Sequence, residues 1–445
     1  MQGTVTVTRG TTMGNLSPGY AGFSFEKSHL TDGFFTGTNA PLIALFQLLG
    51  SGGFVRFGGH DVDSRTWQAS ALPVDAGESS MYVGTADVDA LADFLTATGW
   101  KTIYGLNLQS ETTSTDDVAE ATYVAGKLGA SLYTFEIGNE WGSNLLSRWE
   151  TFEAAVQAAV PNSQESGPGT AGGAAFATSF AQSETGKIVL LTAHHYVSAA
   201  TAANATAATL LSPDTALVSE ETACVAAAKQ YGVRDGFRWG EINTFSGHGK
   251  EGVSDAYASA LWGVDDMLTG AEYGAVGVNY HGGGENEDGN VCTNGPASCT
   301  LPFRYSPIDE ANSQVTGAAP LYYAMLFISR AGTGPLFSTT ASFAALNVTA
   351  YAISQSDGST NVVIVNKDST SGLNASVDVG TPVTTASAVY LQGPSLTATT
   401  GVTFAGASVS PAGAWSPNPA YALTTKGNVV TVLVPPISAA LVHAQ

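Results

Sequence analysis

The sequence predicts a (β/α)8 barrel followed by a β-sandwich, on three observations. Across residues 18–335, short β-prone runs alternate with segments of helical period. Several of those runs finish on polar or charged residues, the pattern of a parallel barrel whose strand ends carry function. Beyond about residue 336 helical signal nearly vanishes, and alternating runs sit between Gly, Ser, Thr and Pro turns. The expected organisation is 1–17 as a strand of the sandwich, 18–335 as the barrel and 336–445 as the sandwich.

Residues 3–8 alternate as a half-exposed strand and precede the first barrel strand, so they are assigned to the second sheet. Barrel strands are expected at 20–26, 53–60, 102–107, 132–137, 166–169, 187–192, 236–240 and 275–279. Helical patterns at 41–49, 88–98, 115–128, 147–160, 174–184, 218–231, 254–268 and 321–329 complete the alternation. The sandwich strands are expected at 347–354, 361–366, 386–391, 428–434 and 437–442.

Composition narrows the function. Hydrophobic residues make up 44% of the 445 and charged ones 12%, which is a packed globular chain. Sixteen Lys and Arg against 37 Asp and Glu give a net charge of −21, a field that repels phosphate backbones and anionic membranes. Nucleic acid and membrane are therefore excluded as partners, and no apolar run reaches membrane-spanning length. Cys292 and Cys299 enclose a turn-rich Thr-Asn-Gly-Pro-Ala-Ser segment suited to a small disulfide loop, with too few neighbouring ligands for zinc. Cys224 falls in an Ala-rich helical pattern as a small buried residue. Sequons at Asn15, Asn204, Asn347 and Asn374, low Lys content and the expected disulfide favour a secreted glycoprotein. No signal-peptide pattern opens the sequence, so a mature form is expected.

The run Phe135-Glu136-Ile137-Gly138-Asn139-Glu140-Trp141 begins as a strand and delivers an amide and a carboxylate where the strand should stop. A second run, Gly236-Phe237-Arg238-Trp239-Gly240, ends on Glu241-Ile242-Asn243. Two carboxyl groups on one rim are the equipment for glycoside hydrolysis. The competing reading, a structural ion pair, is weakened by the scarcity of nearby cations. His194 and His195 invite a metal, but adjacent strand positions face opposite sides, so one should face the barrel interior and the other the helices. No metal or other cofactor is expected.

Together with His194-His195-Tyr196 and Pro320-Leu321-Tyr322-Tyr323-Ala324, these motifs resemble glycoside hydrolase family 79 over nearly the whole chain. That family holds β-glucuronidases and heparanases in a clan of retaining (β/α)8 glycosidases. The resemblance implies Glu140 as general acid/base, Glu241 as nucleophile, Tyr196 as the partner of the nucleophile and Asn139 as a ligand of the sugar 2-hydroxyl. Arg56 matches a clan arginine that reaches the nucleophile, a role compatible with a buried ion pair. Glu136, deeper on the same strand face as Glu140, is expected to support the structure.

Glu26 and Asn107, at strand ends, are either sugar ligands or solvated loop residues, and His60, Asp61 and Tyr280 are further rim candidates. In family β-glucuronidases and heparanases a Tyr-Gly-Gly-Gly-like loop after the nucleophile binds the substrate carboxylate. In this chain the loop reads Thr244-Phe245-Ser246-Gly247-His248-Gly249-Lys250, with Ser246 in place of Tyr and His248 in place of Gly. His248, Lys250 or Arg304 with Tyr305 would have to compensate; otherwise the enzyme takes a neutral sugar. The expectation is a secreted, monomeric, retaining, exo-acting β-glycosidase for β-D-glucuronides, including 4-O-methylglucuronides. The alternatives are a β-glycosidase for a neutral sugar such as glucose, and an inactive carbohydrate-binding protein.

Overall fold

Eight parallel strands close into a barrel in the computed structural model. They are β1 (Ala21–Glu26), β2 (Phe54–Gly58), β3 (Lys101–Leu106), β4 (Leu132–Ile137), β5 (Glu165–Thr170), β6 (Ile188–Ala199), β7 (Phe237–Ser246) and β8 (Val278–His281). The main outer helices are α1 (Ala40–Leu49), α2 (Thr85–Thr98), α3 (Thr115–Leu128), α4 (Leu146–Ala159), α5 (Gly173–Ser183), α6 (Thr215–Gln230), α7 (Tyr257–Tyr273) and α8 (Pro320–Arg330). The structure describes all residues except 73, 75–79, 112, 284–291, 294–302 and 344, together with the side chains of 292 and 293. The expected Cys292–Cys299 bridge lies outside the described residues, whereas Cys224 is a buried free thiol.

The period-2 alternation of the strands sorts the barrel. On β1, Phe23 and Phe25 point outward and pack on Phe46 and Phe35, while Ser24 and Glu26 point inward. On β6, His194 points in towards Glu140 and His195 points out towards Asp214 at the start of α6. The two histidines thus split between faces as their adjacency requires.

Strand β7 breaks the alternation. The indole of Trp239 points outward and donates to Glu221 of α6 at 2.8 Å, yet Glu241, two residues on, points inward. The register with β6 slips between Trp239 and Glu241, and Gly240 is the extra residue. Such a bulge re-aims the side chain that follows it. Both β6 and β7 also run past their expected ends, staying paired as far as Ser246 and Ala199, because Val197 and Phe245 continue a β-prone sequence.

The N-terminal strand Gln2–Leu16 leaves the barrel to the second domain, pairing antiparallel with Gly334–Ser342 and parallel with Leu373–Asp378. The strands there follow one hydrogen-bonded path. Val5, Val432 and Ala375 from one half share a core with Val362, Ile364 and Val442 from the other, so the sheet folds over itself as a sandwich. Tyr257 of α7 ties the two domains together, its hydroxyl donating to the carbonyls of Leu391 at 3.0 Å and Ile437 at 2.9 Å. Lys367 of the sheet domain pairs with Asp265 of α7 at 2.6 Å. No helix among the described residues is long and apolar enough to cross a membrane.

Candidate active site

A pocket of about 570 Å³ opens at the carboxyl ends of the barrel strands. Its lining includes Glu140, Glu241, Asn139, Tyr196, Glu26, His60, Ser246, His248 and Tyr305. Glu140 arrives by a sharp turn after β4: Gly138 and Glu140 both have positive φ (78° and 50°), and the Glu140 N–H donates to Gly169 O at 2.8 Å. A left-handed glutamate is strained, and such strain concentrates at functional sites. One oxygen each from Glu140 and Glu241, with a nitrogen of His194, lie within 4.8 Å of one another.

Glu241 is 5% exposed and fully engaged. The Tyr196 hydroxyl donates to Oε1 at 2.7 Å, and Arg56 Nη1 donates to Oε2 at 3.0 Å. Ring nitrogens of His281 and His194 lie 3.6 and 3.8 Å from Oε2. Burial alone would raise its pKa, but the charges of His281, His194 and Arg56 and the Tyr196 hydrogen bond outweigh it. The carboxyl is held well below the usual carboxylate range.

Arg56 organises the layer beneath the pocket. Completely buried, it donates to Glu136 at 2.5 Å, Asn139 Oδ1 at 2.9 Å, Ser24 at 3.1 Å and Glu241. The expected buried ion pair and the contact with the nucleophile candidate are one arrangement. Glu136 is held by Arg56 and Thr192 in the same layer. Because Arg56 takes the Asn139 oxygen, the amide is oriented with its NH2 as the donor end.

Glu26 is 7% exposed, which removes the solvated-loop reading. It accepts from the Asp61 N–H at 2.8 Å and meets His281 Nε2 at 3.2 Å. His281 is pulled upward in pKa because Glu241 and Glu26 outweigh the opposing effect of burial.

Several expected ligands, Asp61 among them, do not reach the pocket. Tyr280 points outward and donates to Asp266 at 2.9 Å; on so short a strand the inward position is that of His281. Asn107 is consumed by the Arg65 carbonyl at 2.9 Å and Ser110 at 2.7 Å, tying loops below the rim. Arg304 turns away to Asp255 at 3.3 Å and Glu251 at 3.4 Å, although its neighbours Phe303 and Tyr305 line the pocket. Lys250 does not line it either, and its backbone N–H is held by Ser254 at 2.7 Å.

Sequence reasoning missed His281, Phe303 and Glu220. Strict alternation from Asn279 would have found His281. Phe303 comes from the long excursion after β8, whose only local signal is its aromatic content. Its ring lies 4.5 Å from that of His248, which has φ 67° between Gly247 and Gly249. Glu220 belongs to α6 and meets His195 at 3.4 Å. Asp214 and Glu220 overcome the effect of burial to hold His195 up at about 9.

The donor set Glu140, His194 and Glu241 is close enough for a metal, but a buried guanidinium 3.0 Å from Glu241 already supplies the compensating charge. A cation there would face Arg56 and His281. The arrangement suits acid/base and nucleophilic chemistry.

Residues 350–441 match the glycosyl hydrolase family 79 C-terminal beta domain. That match covers the sheet domain, not the barrel that carries Glu140 and Glu241. No curated protein sequence matches the chain. The fold resembles a 4-O-α-L-rhamnosyl-β-D-glucuronidase from Fusarium oxysporum at 20% identity and a TM-score of 0.77, covering 99% of each chain. It also resembles a family 51 α-L-arabinofuranosidase from Bifidobacterium longum, at 12% identity and a TM-score of 0.71, over 100% of this chain and 99% of that one. At these identities the likeness is one of fold. The matched domain makes the chain a glycoside hydrolase, an enzyme whose substrate is a carbohydrate.

Proposed function

We propose that this glycoside hydrolase is a retaining, exo-acting β-glucuronidase. The observation that carries the reading is the carboxyl pair: oxygens of Glu140 and Glu241 within 4.8 Å, with Glu241 kept ionised. Retaining enzymes hold their carboxyl groups roughly 5 Å apart, whereas inverting enzymes leave room for a water between them. Glu241, ionised and oriented by Tyr196 and Arg56, attacks the anomeric carbon. Glu140, on the exposed side of the pocket, gives its proton to the leaving oxygen. It then takes a proton from the water that releases the sugar from Glu241. The Asn139 amide donates to the sugar 2-hydroxyl, a bond that strengthens as positive charge develops on the ring.

The substrate carboxylate is assigned to the turn Ser246-Gly247-His248-Gly249 with the Tyr305 hydroxyl. The family 79 domain and the activity of the Fusarium oxysporum enzyme of like fold support a glucuronide. A second reading, a neutral β-glycoside, is favoured by one feature of the lining. Glu26, Glu140, Glu220 and Glu241 line the pocket, and no Lys or Arg does among the described residues. Hydrolysis of p-nitrophenyl β-D-glucuronide and β-D-glucoside, measured side by side at mildly acidic pH, separates the two. Preference for the glucuronide is expected; preference for the glucoside transfers the assignment to neutral sugars.

A further inference from the structure

A second cavity, of about 480 Å³, lies outside the barrel between α6, α7 and the sheet domain. Its size falls within the range of small-molecule sites. From α7 it takes Trp262, Asp266, Thr269 and Tyr273, whose spacing of four, three and four residues places them on one helical stripe. From α6 it takes Thr215, Ser219 and Thr222, again on one face, and Lys367 comes from the sheet domain. A helix face turned towards a neighbouring helix is ordinarily apolar. In this cavity hydroxyls sit beside Leu210, Pro213, Leu217 and Val218, with an indole and a carboxyl group across the open space.

Asp266 supplies the second observation. It is 5% exposed, its Oδ2 accepts from Tyr280, and its Oδ1 has no hydrogen-bond partner. A buried polar atom left unpaired is costly unless a ligand or water completes it. Burial, against the lowering effects of Tyr280 and His195, pushes this carboxyl up to about 7. At mildly acidic pH it therefore holds a proton, and a neutral carboxyl group in the wall favours an uncharged ligand over an ion. The other charges are already matched: Lys367 with Asp265 at 2.6 Å, and Asp214 with His195 at 2.9 Å. An anion or a metal ion thus finds no uncompensated charge, whereas a neutral ring with one apolar face and a hydroxyl edge finds both surfaces it needs.

We infer that the cavity between α6, α7 and the sheet domain is a second, non-catalytic binding site for a neutral pyranose unit of a glycan. It holds the polysaccharide while the barrel pocket acts on a chain end. The inference does not depend on which sugar the barrel pocket cleaves.

The test is isothermal titration of the full-length Glu241→Ala protein, which cannot turn over the probes, with xylohexaose and cellohexaose. Both titrations are run with glucuronic acid present at saturation to fill the barrel pocket, and each is compared with the same titration of Ser219→Phe, which leaves that pocket intact. Trp262→Ala removes the aromatic wall. Because Trp262 is mostly buried, Ser219→Phe serves as a second variant, filling the cavity from an exposed position on α6. Binding of at least one hexasaccharide that weakens tenfold or more in Ser219→Phe is the expected result. In the wild-type background, Ser219→Phe should leave hydrolysis of small aryl glycosides unchanged. No binding of either probe, or binding that survives Ser219→Phe, overturns the inference.

Discussion

Replacing Arg56 by Met should damage stability and activity together, through one cause. The guanidinium donates to Glu136 at 2.5 Å, Glu241 at 3.0 Å, Asn139 at 2.9 Å and Ser24 at 3.1 Å, and its side chain has no exposure. Methionine fills much of the volume but leaves two carboxylates, 1% and 5% exposed, without their cation. Breaking a buried pair from one side costs about 3–5 kcal/mol, a large part of a typical domain's stability. Urea unfolding followed by circular dichroism reads that loss. The sign of the pH effect follows from Glu241, whose carboxyl lies below its ordinary 4.5 in the folded protein. Its ionisation stabilises the fold above 4.5, and that contribution is lost as pH falls through the depressed folded value. Without Arg56 the folded value rises, so acid unfolding and the acid limb of the rate profile both move to higher pH. Arg56→Lys should restore part of the stability and less of the activity, because an ammonium cannot reproduce the fork. Wild-type stability and an unmoved acid limb in Arg56→Met would refute the argument.

Further consequences concern the same machinery and one structural cluster. Tyr196→Phe removes a 2.7 Å bond to Glu241, the proposed nucleophile. A loss of about 1.5–3 kcal/mol, or roughly 10- to 150-fold in kcat/KM, should follow, with a loss of stability no larger than that. Glu241→Ala should abolish turnover and be rescued by azide with an inverted glycosyl azide as product. Glu140→Ala should spare the first step for aryl substrates with good leaving groups, which burst kinetics measures. His29, buried between Asp32 at 2.5 Å and Glu310 at 2.7 Å, is held up at about 10, the two carboxylates outweighing burial. Its contribution to stability is complete below its ordinary 6.5 and is lost as pH rises through about 10. Urea midpoints should fall across that window in the wild type and show a shallower slope in His29→Gln.

That two carboxyl groups meet in one pocket was legible because burying a carboxylate at the end of an apolar run has few structural reasons. Glu140 and Glu241 stand out on that ground alone. That Glu241 faces inward was not legible, since strict alternation from the outward Trp239 would send it to the helices. A bulge at Gly240 reverses it, and such bulges depend on the register with the neighbouring strand. On β8 the polar pair Tyr280 and His281 is sorted by counting along the strand, which turns His281 inward and Tyr280 out to Asp266. The charge of Arg304 suggests a ligand, but its direction is fixed by Asp255 and Glu251, far away in sequence. The sheet domain was legible from its turns and alternation. The parallel pairing of residues 2–6 with 374–378 rests on contacts across the whole chain, and no local pattern encodes it.

The central claim is double displacement at Glu241, and the anomer released first tests it most directly. Proton NMR of wild-type hydrolysis of whichever aryl β-glycoside proves the substrate should show the β-anomer first, with the α-anomer growing only by mutarotation. Initial release of the α-anomer would mean single displacement by water. That result would contradict the nucleophile and acid/base roles of Glu241 and Glu140.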